Sequence, residues 1–301
     1  MNVRFPIIEF PAEWSVVAAA IAVDCIWARA IHFHLLLGWQ SAAVIVGLAL
    51  AYLCVRFFFS PRIGLLAEYF CLSLAGSAAL VVFSYLCLAS APGPLVDSQL
   101  LAADRALGFD WLTLHRMLMA HGALAGAAKL IYDSLLVQGL YCTILLALMQ
   151  QRTQMKELWR LTFTASVLCC VIGMFMPALG PYKIFGLESE GSFLPDMEHL
   201  LSHRDLSFAP GSMTGVICFP SLHTAMALAY PYGLRRTGPV FHIFLGLNFL
   251  MLFTIPFFGG HYLVDMIAGA GVMLLALAIA RYSVFGKFNS ERAGVLVENP
   301  A

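Results

Sequence analysis

Two short stretches carry residue types that can do chemistry. In "TIPFFGGHYLVD" (254–265), His261 and Asp265 are four residues apart, so on a helix they share a face and the carboxylate can reach the imidazole. Such a partner fixes the ring's tautomer and leaves its other nitrogen free to attack an electrophile. Gly259 and Gly260 just before it permit close backbone approach. In "FPSLH" (219–223), Pro220 suits the first position of a helix, where its missing amide costs nothing. The exposed amides at such a helix start make a seat for phosphate, with Ser221 as an added donor and His223 as a titratable proton beside it. Each stretch alone also fits a bland reading, a helix-end ion pair for the first and a cap plus a core histidine for the second. What favours a site is that both fall on one side of the chain's predicted elements.

Those elements are membrane spans. The chain has 301 residues, of which 61% are hydrophobic and 11% charged, against about 25% charged in an average soluble domain. Several apolar runs reach the roughly 20 residues needed to cross a bilayer. The expected fold is all-α, a polytopic transmembrane helical bundle of about six to eight spans with interfacial helices. Eight runs are candidates, at about 12–31, 34–58, 64–90, 128–150, 158–178, 219–234, 239–258 and 262–284. The first is the weakest, since it carries Asp24 and Arg29. At His261 and Asp265, an ionisable residue in a span costs at least ~2.5 kcal/mol on insertion scales, which marks that pair as a functional candidate. The expected organisation is N-terminal spans over 1–90, an interfacial segment over 91–127, a catalytic membrane core over 128–284 and a cytoplasmic tail over 285–301. No basic leader segment or cleavage site opens the chain, so its start is read as mature protein.

Net charge is zero, with 17 basic and 17 acidic residues, which gives no hint of a nucleic-acid partner. The eight cysteines lie mostly inside apolar runs and read as small buried hydrophobes. "EHLLSH" sets His199 and His203 four apart, but no third ligand follows at a diagnostic spacing, so no metal is expected. His242 and Asn248 read as buried polar residues that hydrogen-bond another helix. No cofactor is expected, and membrane lipids are the expected partners.

Alternating the spans assigns faces. Arg56, Arg62, Arg152, Lys156, Arg160, Arg235, Arg236, Arg281 and Lys287 fall on one side, the cytoplasmic one if Lys and Arg mark it. The 91–127 segment and the acidic 180–218 loop fall on the other. So do "MPALGPYK" (176–183), "FPSLH" and "TIPFFGGHYLVD". A helix from Pro220 to Leu234 would span about 22 Å of a core about 30 Å thick. The site is therefore expected to lie below the outer interface, within reach of a lipid headgroup.

These residues resemble the type 2 phosphatidic acid phosphatase superfamily, whose motifs run K-x6-R-P, P-S-x-H and S-R-x5-H-x3-D. Pro220, Ser221 and His223 match the second motif, and His261 and Asp265 match the end of the third. The wording of "FPSLH" and "HYLVD" is similar to the inositolphosphotransferase-like branch, which includes inositol phosphorylceramide synthases and many bacterial membrane proteins. The resemblance covers roughly 100–284. It implies a lipid phosphate phosphatase or phosphotransferase acting on a phosphorylated lipid at the outer face of a bacterial inner (plasma) membrane. It also implies roles: His261 forms a phosphohistidine, Asp265 orients it, His223 protonates the leaving alcohol and Ser221 helps hold the phosphoryl oxygens.

The chain departs from the family pattern at the cations. Thr254 and Ile255 stand where the third motif has Ser-Arg, and Cys169 and Met176 where the first has Lys and Arg. Lys183, Arg204 and Tyr182 are the candidate substitutes on the outer side, with Arg116 and Lys129 behind them. The missing cations also leave room for a non-catalytic lipid transporter or scaffold that retains the fold.

Overall fold

A computed structural model of the chain describes residues 8–36, 38, 46–47, 49–50, 52–53, 60–187, 191–202 and 206–297, the side chains of 61 and 282–297 excepted. The described residues are almost wholly helical. Helix α1 (Pro11–Ala30) is followed by a two-residue strand β1 (His34–Leu35), and α2 runs over Pro61–Ala89. Two short helices, α3 (Asp97–Ala106) and α4 (Trp111–Met119), precede the long α5 (Gly122–Leu148) and α6 (Arg152–Phe175). After them come α7 (Pro181–Ile184), α8 (Leu194–Leu201) and strand β2 (Ser207–Phe208). The chain closes with α9 (Leu222–Gly233), α10 (Pro239–Leu252), α11 (Ile255–Phe258) and α12 (Leu263–Val297).

Among the described residues, five helices are long and apolar enough to cross a bilayer: α1, α2 from Arg62, α5, α6 and the Leu263–Arg281 part of α12. Helix α10 is apolar but shorter. The predicted second span, 34–58, lies largely outside the described residues, as does Arg56. Several predicted limits move. Span four begins at Gly122, where small and apolar residues extend the helix, and span five at Arg152, whose polar first turns lie at the helix end. The run 239–258 is two helices, broken where Phe253 and Thr254 turn. The run 219–234 is a helix of 12 residues, about 18 Å long. Pro220 lies outside it; the cap is Ser221, whose extended backbone (φ −69°, ψ 107°) and side chain close the first turn by accepting the Thr224 amide at 3.3 Å.

One apolar core joins α1, α2, α5, α6, α9, α10 and α12 through residues such as Leu72, Leu146, Leu161, Ala225 and Met273. Small residues set its tight crossings: Gly76 faces Trp159, and Gly233 faces Leu158. Asn248 is buried and donates to Gln138 Oε1 at 2.6 Å, linking α10 to α5 as expected, whereas His242 is exposed and packs edge-on to Phe241. A second core lies at one end of the bundle, where α3, α4, α7 and α8 pack over the helix ends through Tyr85, Trp111, Tyr182, Met197 and Phe208. The described parts of the 180–218 connection thus form a packed cap. Its β2 pairs in parallel with β1, and the Tyr85 hydroxyl donates to Asp196, which also accepts from Thr214 Oγ1 at 3.0 Å.

Arginine–glutamate pairs gather at the other end of the bundle. At the end away from the cap, Arg152 pairs with Glu9 at 3.0 Å, Arg160 with Glu13 at 2.5 Å and Arg235 with Glu157 at 2.5 Å. The Gln154 side chain donates to Gly233 O there at 2.9 Å, fixing the start of α6 to the end of α9.

Candidate active site

At the capped end, the three predicted stretches meet. The Ser221 amide donates to Asp265 O at 3.0 Å, so the start of α9 lies directly on the first turn of α12. Gly269 makes this approach possible, since a Cβ there would sit 2.3 Å from Ser221 O. Gly180, at φ +90°, has only 2.5 Å between its ideal Cβ and Gly260 O, so the 176–183 stretch touches the turn before His261.

His261 is 3% exposed and Asp265 fully buried. His261 Nδ1 lies 3.4 Å from Asp265 Oδ2, an ion-pair distance that leaves Nδ1 without a hydrogen bond. Bonds of this kind often tighten only when substrate is bound. The same carboxylate oxygen accepts the Tyr262 amide at 2.8 Å and the Cys218 thiol at 3.5 Å. Burial, followed by the Asp265 and Asp97 carboxylates, pushes the Cys218 thiol well above its ordinary range, so it stays a protonated donor.

His223, half-buried on the first turn of α9, faces His261 with ring centroids 5.9 Å apart. Its Nε2 shares a 3.0 Å hydrogen bond with the Tyr132 hydroxyl, and the two rings stack at 4.9 Å and 19°. The direction of that bond follows the histidine's tautomer. Tyr132 comes from α5, a span with no motif, and carries no signal separable from an ordinary span aromatic.

The other predicted side chains have different surroundings. Ser221 is fully buried, and its Oγ accepts both the Thr224 amide and, at 3.2 Å, the Thr224 hydroxyl. The Tyr182 hydroxyl donates to Phe257 O, and Lys183 pairs with Glu198 at 2.7 Å. Arg204 and His203 lie outside the described residues. His199 packs against the Phe208 ring at 5.2 Å. Lys129 pairs with Asp133 at 2.6 Å near the start of α5. Where the family motifs carry cations, Cys169 and Ile255 are fully buried and Thr254 bonds Met251 O at 2.8 Å. Among the described residues, Cys218, His261 and Asp265 are the group whose ligand atoms, all within 4.8 Å of one another, could hold a metal ion. The contacts of Asp265 Oδ2 with Tyr262 and Cys218 already account for that carboxylate's placement.

Two carboxylates that composition did not single out grip this end. Asp97 accepts the amides of Leu179 and Gly180 and the hydroxyl of Tyr262. Asp104 accepts the amides of Leu263 and Val264, the first two residues of α12. Burial raises the Asp104 carboxyl above its ordinary range, and those two amides pull against the rise.

A model of the PAP2 superfamily matches residues 98–279, more than half of the chain. The chain belongs to the PAP2 superfamily. Members of this superfamily are generally phosphatases or phosphotransferases, and the match spans α3 through the membrane part of α12, including both histidines and Asp265. Comparison with curated proteins and with solved structures finds no match.

Proposed function

We propose that this PAP2 superfamily protein is an integral membrane enzyme that cleaves or transfers phosphate esters of lipids through a phosphohistidine on His261. The observation that carries the reading is the pair of facing imidazoles, His223 and His261, at 5.9 Å with Asp265 behind the second. In the first step His261 attacks phosphorus and the bond to the lipid oxygen breaks, while His223 gives that oxygen a proton. In the second, water or an alcohol attacks the phosphohistidine, loses its proton to His223 and frees His261. The choice between water and alcohol separates phosphatase from phosphotransferase; the likeness to the inositolphosphotransferase-like branch supports an alcohol acceptor.

Phosphoryl transfer demands mainly positioning and charge stabilisation. The Leu222 and His223 amides in the first turn of α9 and the Tyr132 hydroxyl, which bonds His223 Nε2, are the proposed donors to the phosphoryl group. Lys183 would reach a phosphate only by leaving Glu198, and Tyr182 only by leaving Phe257 O. Ser221 serves the fold of the site as the α9 cap. Because α9 is only 12 residues long, the site sits below the interface, where a headgroup phosphate can meet it. The basic end of the bundle is assigned to the cytoplasm and the capped end to the outer face.

The test supplies purified protein with a lipid phosphate and with an activated phenyl phosphate, with and without inositol as acceptor. His261→Ala should form no phosphoenzyme with either. His223→Ala should fail on the lipid ester yet retain activity on the phenyl ester, whose leaving group needs no acid. Acid-labile, base-stable phosphate on His261→Ala would invert the assignment. A wild-type protein that binds lipid phosphates but turns none over, with binding unchanged in both variants, would make it a lipid transporter or scaffold.

A further inference from the structure

Asp97 and Asp104 are two turns apart on α3, which puts them with Leu100 on one face of the helix. All three are buried, the carboxylates at 5% and 0% exposure. A buried carboxylate is tolerated only when hydrogen bonds replace its water, and both are turned onto the chain around His261. Asp97 takes the Leu179 amide at 3.0 Å, the Gly180 amide at 2.7 Å and the Tyr262 hydroxyl at 3.0 Å. Asp104 takes the Leu263 amide at 2.9 Å and the Val264 amide at 3.0 Å. The Val96 amide adds a bond of 2.9 Å to Pro177 O. The three residues that follow His261 are thus all tied down, Tyr262 by its hydroxyl and the next two by their amides. The turn that touches Gly260 from the other side is tied to the same helix.

A cap serving only the stability of α12 would need one hydroxyl or amide side chain near its start. Here one short helix instead fixes two turns that touch, and His261 lies between Gly260 in the contact and the three residues held by α3. We propose that Asp97 and Asp104 are positioning residues, and that α3 is a strut setting the distance from His261 to Asp265 and to His223. The inference rests on the His261 reaction proposed above. A nucleophile misplaced by about 1 Å loses on the order of 100-fold in rate, whereas substrate held elsewhere keeps its affinity.

The experiment uses the full-length protein in lipid vesicles and compares wild type with Asp104→Asn, Asp97→Asn and Tyr262→Phe. Asp104→Asn keeps the shape but replaces one acceptor with a donor facing an amide. Its kcat and its rate of phosphoenzyme formation should fall together by about 100-fold, with KM within about twofold and a loss of kcat well beyond what the lowered unfolding midpoint accounts for. Tyr262→Phe removes a single hydroxyl, so it tests the strut even if the aspartate variants fail to fold; its kcat should fall about tenfold. Together with Asp97→Asn, it should lose less than the product of the two single losses, because both act through one bond. Variants that keep full kcat, or lose kcat only in step with the unfolding midpoint, overturn the proposal. A readout independent of activity is amide exchange: Asp104→Asn should speed exchange at Leu263 and Val264 and leave the interior of α12 unchanged. If wild type turns over no phosphate, the reaction reading fails by itself, and unchanged exchange at those two amides overturns the strut.

Discussion

Tyr132 shows how a residue with no motif can matter to one with a motif. Its hydroxyl bonds the nitrogen of His223 that stands nearest it, and its ring fixes the plane of the imidazole by stacking. If His223 is the general acid, losing that bond should matter most when the leaving group is poor. Tyr132→Phe is expected to lower turnover of a lipid alkyl ester by about tenfold, or ~1.4 kcal/mol in the barrier, while an activated phenyl ester loses much less. Equal losses on both esters, measured as kcat/KM, would sink the role in acid catalysis. The sequence made His223, His261 and Asp265 legible because their spacings are local and their burial in apolar runs is costly. Tyr132 lies 91 residues from His223, and nothing in a span's composition marks which aromatic turns inward. Asp97 and Asp104 did leave a signal: two acids and Leu100 share one helical face in "VDSQLLAADRALGF".

At the scale of elements, the α9–α12 contact sets the site, and two glycines on α12 separate that contact from helix propensity. A Cβ at Gly269 would lie 2.3 Å from the Ser221 carbonyl, whereas one at Gly271 would meet nothing within 4 Å. Gly269→Ala must push α9 away from α12 and should destabilise the protein by about 1–3 kcal/mol, as overpacking does. Activity should fall further than stability, because the Ser221–Asp265 backbone bond spans the same contact. Gly271→Ala should be neutral or slightly stabilising, since alanine is the better helix former. Thermal unfolding in detergent alongside phosphate release checks both; equal behaviour of the two variants would contradict the close approach.

For the whole molecule, the arginines gathered at one end predict orientation. Arg152, Arg160 and Arg235 gather at one end, and the packed 180–218 cap with the site occupies the other. Ser192 is exposed on that cap, so Ser192→Cys should react with an impermeant thiol reagent in intact cells. Labelling only after lysis would place the site on the cytoplasmic side. The cap's aromatic packing, with Phe208 edge-on to Tyr85 at 4.9 Å, makes it an integral part of the fold rather than a loose tether.

What the sequence by itself determined was the class of the fold, several of the spans, and two short motifs that resemble those of the superfamily to which the chain belongs. Each follows from hydrophobic runs and local spacing, which need no knowledge of partners distant in the chain. Helix limits were legible only roughly: α9 begins after its cap Ser221 rather than at Pro220, because the cap is decided by which side chain meets the Thr224 amide. Only the tertiary structure decided what surrounds the histidines. It turned Tyr132 toward His223, committed Lys183 to Glu198, buried Ser221 in its cap and brought Asp97 and Asp104 onto the turns beside His261. Those pairings join residues up to 165 positions apart, and they are set by how helices pack, a property that no local pattern encodes.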